Sequence, residues 1–173
     1  MQKNKTEDLV KKAKRKDPDA FSQLMQLYKK DMYRVALAIL MNDEDTADAI
    51  QDTMLTCWEK IHNLRQIEYF KTWMTRILIN KCYDIRRKRE LTISLGEYEE
   101  PAEEDNYNLE LKEALSSIND KYRIILTLFY SEGYHIDEIA RILKLPKSTV
   151  QTRLQRGREN LAKNYYRENE RRK

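Results

Sequence analysis

The sequence GYHIDEIARILKLPKSTVQTRL at residues 133–154 decides the fold of the C-terminal half. It predicts two amphipathic helices with a break over residues 144–146. The apolar residues of the first helix recur at the spacing of one helix face: Ile136, Ile139, Ala140 and Leu143. The second helix is predicted to bury Val150, Leu154 and Leu161. This pattern indicates a helix-turn-helix that binds DNA, although an ordinary helical hairpin shows the same periodicity.

The opposite face of the second helix carries side chains that suit the major groove of DNA. Gln pairs bidentately with adenine and Arg with guanine. We therefore predict base contacts from Gln151, Thr152, Gln155 and Arg156. Lys147, Ser148 and Arg153 are predicted to contact phosphates, with Ser148 and Thr149 near the helix N-terminus.

Composition places the chain among all-α proteins. It has 173 residues, room for one domain or two small ones, and 36% of them are charged. Three glycines and three prolines leave few hairpin turns, and the apolar spacing is helical almost throughout. The charged N-terminus contains no signal peptide, and no apolar run reaches the length of a membrane span.

The net charge of +4 is unevenly distributed. One basic cluster comprises Lys81, Arg86, Arg87, Lys88 and Arg89, and a second follows residue 153. Residues 97–105 between them are acidic and contain no basic residue. We predict two nucleic-acid-facing domains, residues 1–90 and 109–173, joined by a flexible acidic linker at 91–108. Either basic cluster alone would indicate only a solvated surface.

The first half predicts several packed helices. Asp17-Pro18 and the acids after Asn42 are helix starts. One predicted stripe contains Ala47, Ile50, Met54, Trp58 and Ile61. A later helix is predicted to bury Phe70, Trp73, Met74, Ile77, Leu78 and Ile85, with Phe70 and Trp73 in the core rather than stacked on DNA bases. Residues 63–68 between these helices are predicted to form a loop.

In this order, the segments resemble an extracytoplasmic-function (ECF) sigma factor of bacterial RNA polymerase. AFSQL at 20–24 resembles the opening helix of that family, and DTADAIQDTM at 45–54 resembles its polymerase-binding segment. FKTWM at 70–74 with DIRR at 84–87 resembles its promoter-melting segment. Residues 114–158 resemble its C-terminal helix-turn-helix domain. His135 and Pro146 depart from the Ser that the family often has before each motif helix.

The resemblance implies a role for each segment. The polymerase-binding residues would be Asp48, Gln51, Asp52 and Leu55, although acids here could simply cap a helix. The residues for the minus-ten element would be Asn63, Leu64, Arg65, Gln66, Arg76, Asn80, Lys81, Arg86 and Arg87. The recognition helix would read the minus-thirty-five element. The acidic linker would either mimic RNA or serve only as a tether.

The resemblance also implies a cytoplasmic initiation factor with core RNA polymerase and promoter DNA as partners. Control by an anti-sigma factor, possibly membrane-anchored, and an envelope or stress response would follow. We expect no enzymatic activity, cofactor, metal or small-molecule substrate. His62, His135, Cys57 and Cys82 form no catalytic or metal-binding motif, and the i, i+3, i+7 carboxylates from Asp45 onward lack a second ligand cluster.

Two other classes of protein fit parts of the sequence. A free-standing helix-turn-helix regulator would bind DNA without polymerase, usually as a dimer on a palindromic site, yet no dimerisation heptad is evident. A helical adaptor or anti-sigma-like protein would not need the Gln and Arg face of the recognition helix.

Overall fold

The computed structural model describes residues 2–96 and 109–171. Over these ranges the chain forms eight α-helices and no strand, as predicted for an all-α protein. Their bounds are α1 Gln2–Lys14, α2 Pro18–Leu40, α3 Asp43–Lys60, α4 Phe70–Ser94, α5 Leu109–Ser116, α6 Asp120–Leu126, α7 Ile136–Leu143 and α8 Lys147–Arg171. Two 3₁₀ turns, Ile61–Asn63 and Ile67–Tyr69, connect α3 to α4, and a π-helical turn, Thr127–Ser131, extends α6.

The predicted helix starts are confirmed by their hydrogen bonds. The Asp17 carboxylate accepts from the backbone N–H groups of Asp19 and Ala20 at 3.0 and 3.1 Å. Asn42 Oδ1 accepts from the N–H of Asp45 at 2.8 Å. These side chains satisfy N–H groups that have no partner within the helix. They fix where α2 and α3 begin.

The buried face of α3 differs from the prediction. The residues that face the core are Thr46, Ala49, Thr53 and Cys57, each 0% exposed. Of the predicted stripe only Ile61 is fully buried: Ala47 is exposed, and Ile50, Met54 and Trp58 are half-buried. Small side chains allow α3 to approach α2 and α4 closely, whereas the larger ones lie along the margins of the contact. The Thr53 hydroxyl loses no hydrogen bond on burial, because it donates to the Ala49 carbonyl at 2.6 Å.

Helix α4 is longer than the sequence predicted. It continues to Ser94, although the acidic linker was predicted to begin at residue 91, and Gly96 follows with a φ of 77°. The left-handed conformation at Gly96 suits a residue without a side chain and ends the helical path. The rest of the predicted linker, 97–108, lies outside the described residues.

Helix α7 begins as predicted, with His135 at its cap. The His135 N–H donates to the Glu138 carboxylate at 2.8 Å, so the glutamate satisfies the backbone group that a helix start leaves unpaired. Lys144 ends the helix in a left-handed conformation with a φ of 54°. The break that the sequence predicted at 144–146 is therefore confirmed.

Helix α8 extends to Arg171 and differs from the prediction in one buried position. Val150 and Leu154 are buried, but Leu161 is 38% exposed. The third buried position is Gly157, where an added Cβ would lie 3.0 Å from Leu126 Cδ1. The glycine permits close approach of α6 and α8, and Leu161 lies beyond that contact.

The C-terminal helices pack directly on the N-terminal ones. Helix α6 and its π-helical turn contact α2, and α7 contacts α4. Glu132, whose side chain is 1% exposed, accepts from Arg34 Nε at 2.9 Å and lies 3.3 Å from Lys71 Nζ. The hydroxyls of Thr75 and Tyr134 form a buried hydrogen bond of 2.9 Å nearby. The contact between the two halves is therefore polar and charged as well as apolar.

Candidate functional site

Helix α3 presents an exposed acidic face. The side chains of Asp48, Gln51 and Asp52 are exposed, and Leu55 is 63% exposed. Because α3 packs on α2 and α4 through its small residues, this opposite side faces away from both helices. All four predicted polymerase-binding residues therefore share one accessible surface. Carboxylates around an exposed leucine suit a partner helix that carries arginines.

Four of the predicted minus-ten residues surround one cavity of about 490 Å³. They are Leu64, Arg65, Gln66 and Arg76. Leu64 is buried and forms part of the wall, while the other three are exposed at the edge. An apolar wall with amide and guanidinium groups at its edge can hold an unstacked base and its phosphate.

The cavity includes residues that sequence reasoning did not assign to it. Tyr69 and Trp73 contribute aromatic surface, and Glu138 and Arg141 of α7 line it from the C-terminal half. Trp73 was predicted to be core. It packs on Phe70, with ring centroids 5.9 Å apart, but is only half-buried and also faces the cavity. Its spacing on the helix predicted a core position, and nothing in the neighbouring sequence indicated that it also lines the cavity.

A second cavity, of about 540 Å³, contains three other members of the minus-ten set. Asn80, Arg86 and Arg87 line it together with Tyr83. Asn80 therefore lines a different cavity from Leu64, Arg65 and Gln66. Asn63, which is exposed, and Lys81, which is half-buried, line neither cavity. Seven of the nine predicted minus-ten residues thus line one of two separate cavities, and two line neither.

The basic end of α4 is partly neutralised within the protein. Arg87 pairs with Asp84, Arg89 pairs with Asp45, and Arg86 lies 3.4 Å from Glu90. A nucleic-acid phosphate must compete with these carboxylates for the guanidinium groups. Because the pairs are largely exposed, each contributes little and can be exchanged at small cost.

The predicted minus-thirty-five residues lie on one side of α8. Ser148, Thr149, Thr152, Arg153 and Arg156 line a shallow groove of about 230 Å³. Gln151, Gln155 and Lys147 are exposed beside it. The Thr152 hydroxyl donates to the Ser148 carbonyl at 2.9 Å, and Gln155 Nε2 donates to Glu159 at 3.3 Å.

Two charged side chains of the recognition helix affect groups on other helices. Lys147 Nζ lies 2.8 Å from Asp137, and this ion pair lowers the pKa of the Asp137 carboxyl. Burial raises the pKa of Tyr83, and the nearby guanidinium groups of Arg86 and Arg153 oppose that shift.

The described residues offer little for catalysis. Cys57 and Cys82 are free and buried, and burial raises the pKa of each thiol to about 12, so neither is a thiolate at neutral pH. Within the described ranges no group of His, Cys, Asp or Glu side chains is placed to hold a metal ion. In the same part of the chain, no helix combines the length and apolarity that crossing a bilayer requires.

Comparison with known families matches both halves of the chain. The model for sigma-70 region 2 matches residues 24–92, and the model for sigma-70 region 4 matches residues 108–161. The first match includes α3, the 63–66 loop and most of α4, and the second includes the helix-turn-helix. A free-standing helix-turn-helix regulator would not need the first region.

Relatives and solved structures agree with these matches. The ECF RNA polymerase sigma factor SigW of Bacillus subtilis is 29% identical, over 89% of this chain and 93% of its own length. The RNA polymerase sigma factor SigV of the same organism is 31% identical, over 75% and 81%.

Two solved complexes share the fold. CnrH, solved with the cytosolic domain of CnrY, superposes with a TM-score of 0.69 at 22% identity, covering 93% of this chain and 97% of CnrH. The sigma factor RpoE of Bartonella quintana, solved with the anti-sigma factor NepR, gives a TM-score of 0.68 at 25% identity, covering 83% and 94%. The chain therefore belongs to the extracytoplasmic-function group of the sigma-70 family and is a non-enzymatic, promoter-specific transcription initiation factor.

Proposed function

We propose that the protein binds core RNA polymerase through the acidic face of α3. Asp48, Gln51, Asp52 and Leu55 are the contact residues. The observation that carries the proposal is the exposure of all four side chains on a helix whose opposite side is fully packed. A face that stays exposed in the described part of the chain is available to a partner. The exposed Leu55 adds apolar surface that a partner can bury.

Promoter DNA then contacts two further surfaces. The cavity bordered by Leu64, Gln66 and Trp73 holds a base of the single-stranded minus-ten element. The basic residues of α4 follow the phosphates, and Asn80 contacts this strand at the second cavity. The recognition face of α8 reads the duplex minus-thirty-five element, with Arg156 on a base edge and Lys147 on phosphate. Residues 1–94 and 109–173 act as the two DNA-binding domains, and the residues between them form the linker.

We place this activity in the cytoplasm, where bacterial RNA polymerase works, and propose an anti-sigma factor as the regulatory partner. Two proteins of similar fold were solved as complexes. RpoE was solved with the anti-sigma factor NepR, and CnrH was solved with the cytosolic domain of CnrY. Release from the inhibitor would activate promoters of an envelope or stress response. The acidic face of α3 and the recognition face of α8 are the surfaces that an inhibitor must occlude.

The polymerase assignment is tested by Asp52→Arg in the full-length chain. Reversing one charge at the centre of the acidic face should reduce affinity for core polymerase at least about tenfold, because like charges then meet across the contact. A pull-down against purified core enzyme measures this, with circular dichroism to show that folding is intact. Glu113→Arg, which reverses the charge of an exposed acid on α5, is the matched control. Equal affinity of Asp52→Arg and wild type would remove the assignment.

A further inference from the structure

Helix α1 precedes the region that matches the family and carries none of the proposed contact residues. It is nevertheless part of the folded core, because Leu9, Val10 and Ala13 are buried. It packs on both 3₁₀ turns, Ile61–Asn63 and Ile67–Tyr69, which flank the 64–66 loop. The element that supports the loop from behind is therefore α1.

One side chain of α1 reaches the loop itself. Lys14 Nζ donates a hydrogen bond of 2.6 Å to the backbone carbonyl of Leu64. The backbone N–H of Leu64 donates to the Ile61 carbonyl at 3.1 Å. Both backbone polar groups of Leu64 are thus held by neighbouring structure, one on each side. A hydrogen bond from an ammonium group is stronger than one between neutral groups.

Leu64 is also a wall residue of the cavity, beside Arg65 and Gln66. Its side chain is 6% exposed, so its position decides how far the wall extends into the cavity. Without the ammonium group, the Leu64 carbonyl would lose its charged donor. The loop would then change conformation so that water could donate to this carbonyl. The residues that follow would then lose their fixed position relative to Trp73.

We infer that Lys14 is a positioning residue for minus-ten recognition: it holds the Leu64 carbonyl so that the 64–66 loop keeps the shape of the base-binding cavity. This inference rests on the proposed function of that cavity. It assigns α1 a role in promoter specificity, through a contact that does not touch DNA.

A second lysine provides a matched control. Lys16 lies two residues further on, beyond the end of α1, and its ammonium group donates to the Trp58 carbonyl and lies 4.7 Å from the centre of the Trp58 ring. This contact secures the same segment to α3 without touching the loop. Lys14→Met and Lys16→Met each remove one ammonium group and retain an unbranched apolar chain. Only the first should alter the cavity.

The experiment uses holoenzyme assembled from core polymerase and the full-length chain. The probe is a labelled single strand that carries the minus-ten element of a promoter selected from random DNA by wild-type holoenzyme. A matched set replaces each base in turn by an abasic site. We expect Lys14→Met to bind the intact strand about tenfold more weakly, with little change for the strand that lacks the captured base. Lys16→Met should match wild type, and Lys14→Arg should restore most of the loss.

An abasic profile of Lys14→Met identical to wild type would overturn the inference. So would an equal loss in Lys14→Met and Lys16→Met, or a Lys14→Met chain that fails to fold, because Lys14 would then stabilise the whole domain rather than the loop. A wild-type profile with no position sensitive to base removal would instead refute the proposed function of the cavity. Binding to minus-thirty-five duplex should be the same in every variant.

Discussion

The ion pairs of Glu132 predict how the two halves of the protein separate. The minus-thirty-five and minus-ten elements are named for positions about 25 base pairs apart, roughly 85 Å at about 3.4 Å per base pair. A compact chain of this length has a radius of gyration of about 16 Å, so the packed arrangement cannot span them. If both proposed DNA surfaces bind one promoter, the Glu132 contacts with Arg34 and Lys71 must break.

The perturbation is Glu132→Gln, which removes the charge and keeps the shape. At an effective dielectric constant of about 20, each pair at about 3 Å contributes roughly 5 kcal/mol of Coulomb attraction. Dehydration of the buried carboxylate offsets most of this. Arg34 and Lys71 are 35% and 31% exposed and retain Asp31 as a partner, so they regain solvation easily. We expect a net loss of about 1–2 kcal/mol, which raises the fraction of separated molecules roughly 5–30-fold.

Single-molecule energy transfer between the two halves measures this fraction. Dyes can be attached at Lys30→Cys on α2 and Lys163→Cys on α8, both exposed positions. The native thiols of Cys57 and Cys82 should not compete for the dyes at neutral pH, because they are buried and their pKa is raised to about 12. Separation appears as a low-transfer population.

The control is Glu59→Gln, which removes the same charge from an exposed site on α3. It should leave the low-transfer population unchanged. Equal populations in Glu132→Gln, Glu59→Gln and wild type would refute the reasoning, since the buried carboxylate would then contribute nothing to the contact between the halves.

Three further predictions concern the DNA surfaces and their support. Arg156→Ala should change the preferred minus-thirty-five sequence, at about 1–3 kcal/mol for the affected base, whereas Lys147→Ala should weaken all sequences alike in a binding selection. Asn80→Ala should lower open-complex formation, measured by permanganate footprinting, more than it lowers closed-complex formation. Equal losses of both complexes would indicate a purely structural Asn80. Gly157→Ala should destabilise the fold by about 1–2 kcal/mol in urea unfolding despite its better helix propensity, because its Cβ would press on Leu126.

Local chemistry explains why much of the fold could be predicted. Asp17 and Asn42 cap helices through side chains that act within three residues, and the 144–146 break follows from residues that end one helix and start another. The residues proposed for polymerase and DNA were chosen partly by resemblance. The structure places them on exposed surfaces or around cavities, and their roles stay predictions.

What could not be predicted depends on contacts between distant segments. The core face of α3 was misplaced because Thr46 and Thr53 carry little hydrophobic signal, although both are fully buried. Glu132 lies in a short Ser-Glu-Gly break that indicates only a turn, and its burial requires Arg34 from the other half. The sequence predicted a loop at 63–68 but no cavity beside it. Glu138 lines the cavity only because the two halves pack together.

The row of small residues under α3 has a consequence for genetics. Thr46, Ala49, Thr53 and Cys57 are fully buried beneath the helix, so we expect a larger residue at any of them to push α3 outward and tilt its acidic face. A selection for chains that fold yet fail to recruit polymerase should therefore recover changes at these hidden positions as well as on the acidic face. Mutations that change side-chain volume at these buried positions would then alter polymerase affinity, although the proposed polymerase contact does not include them.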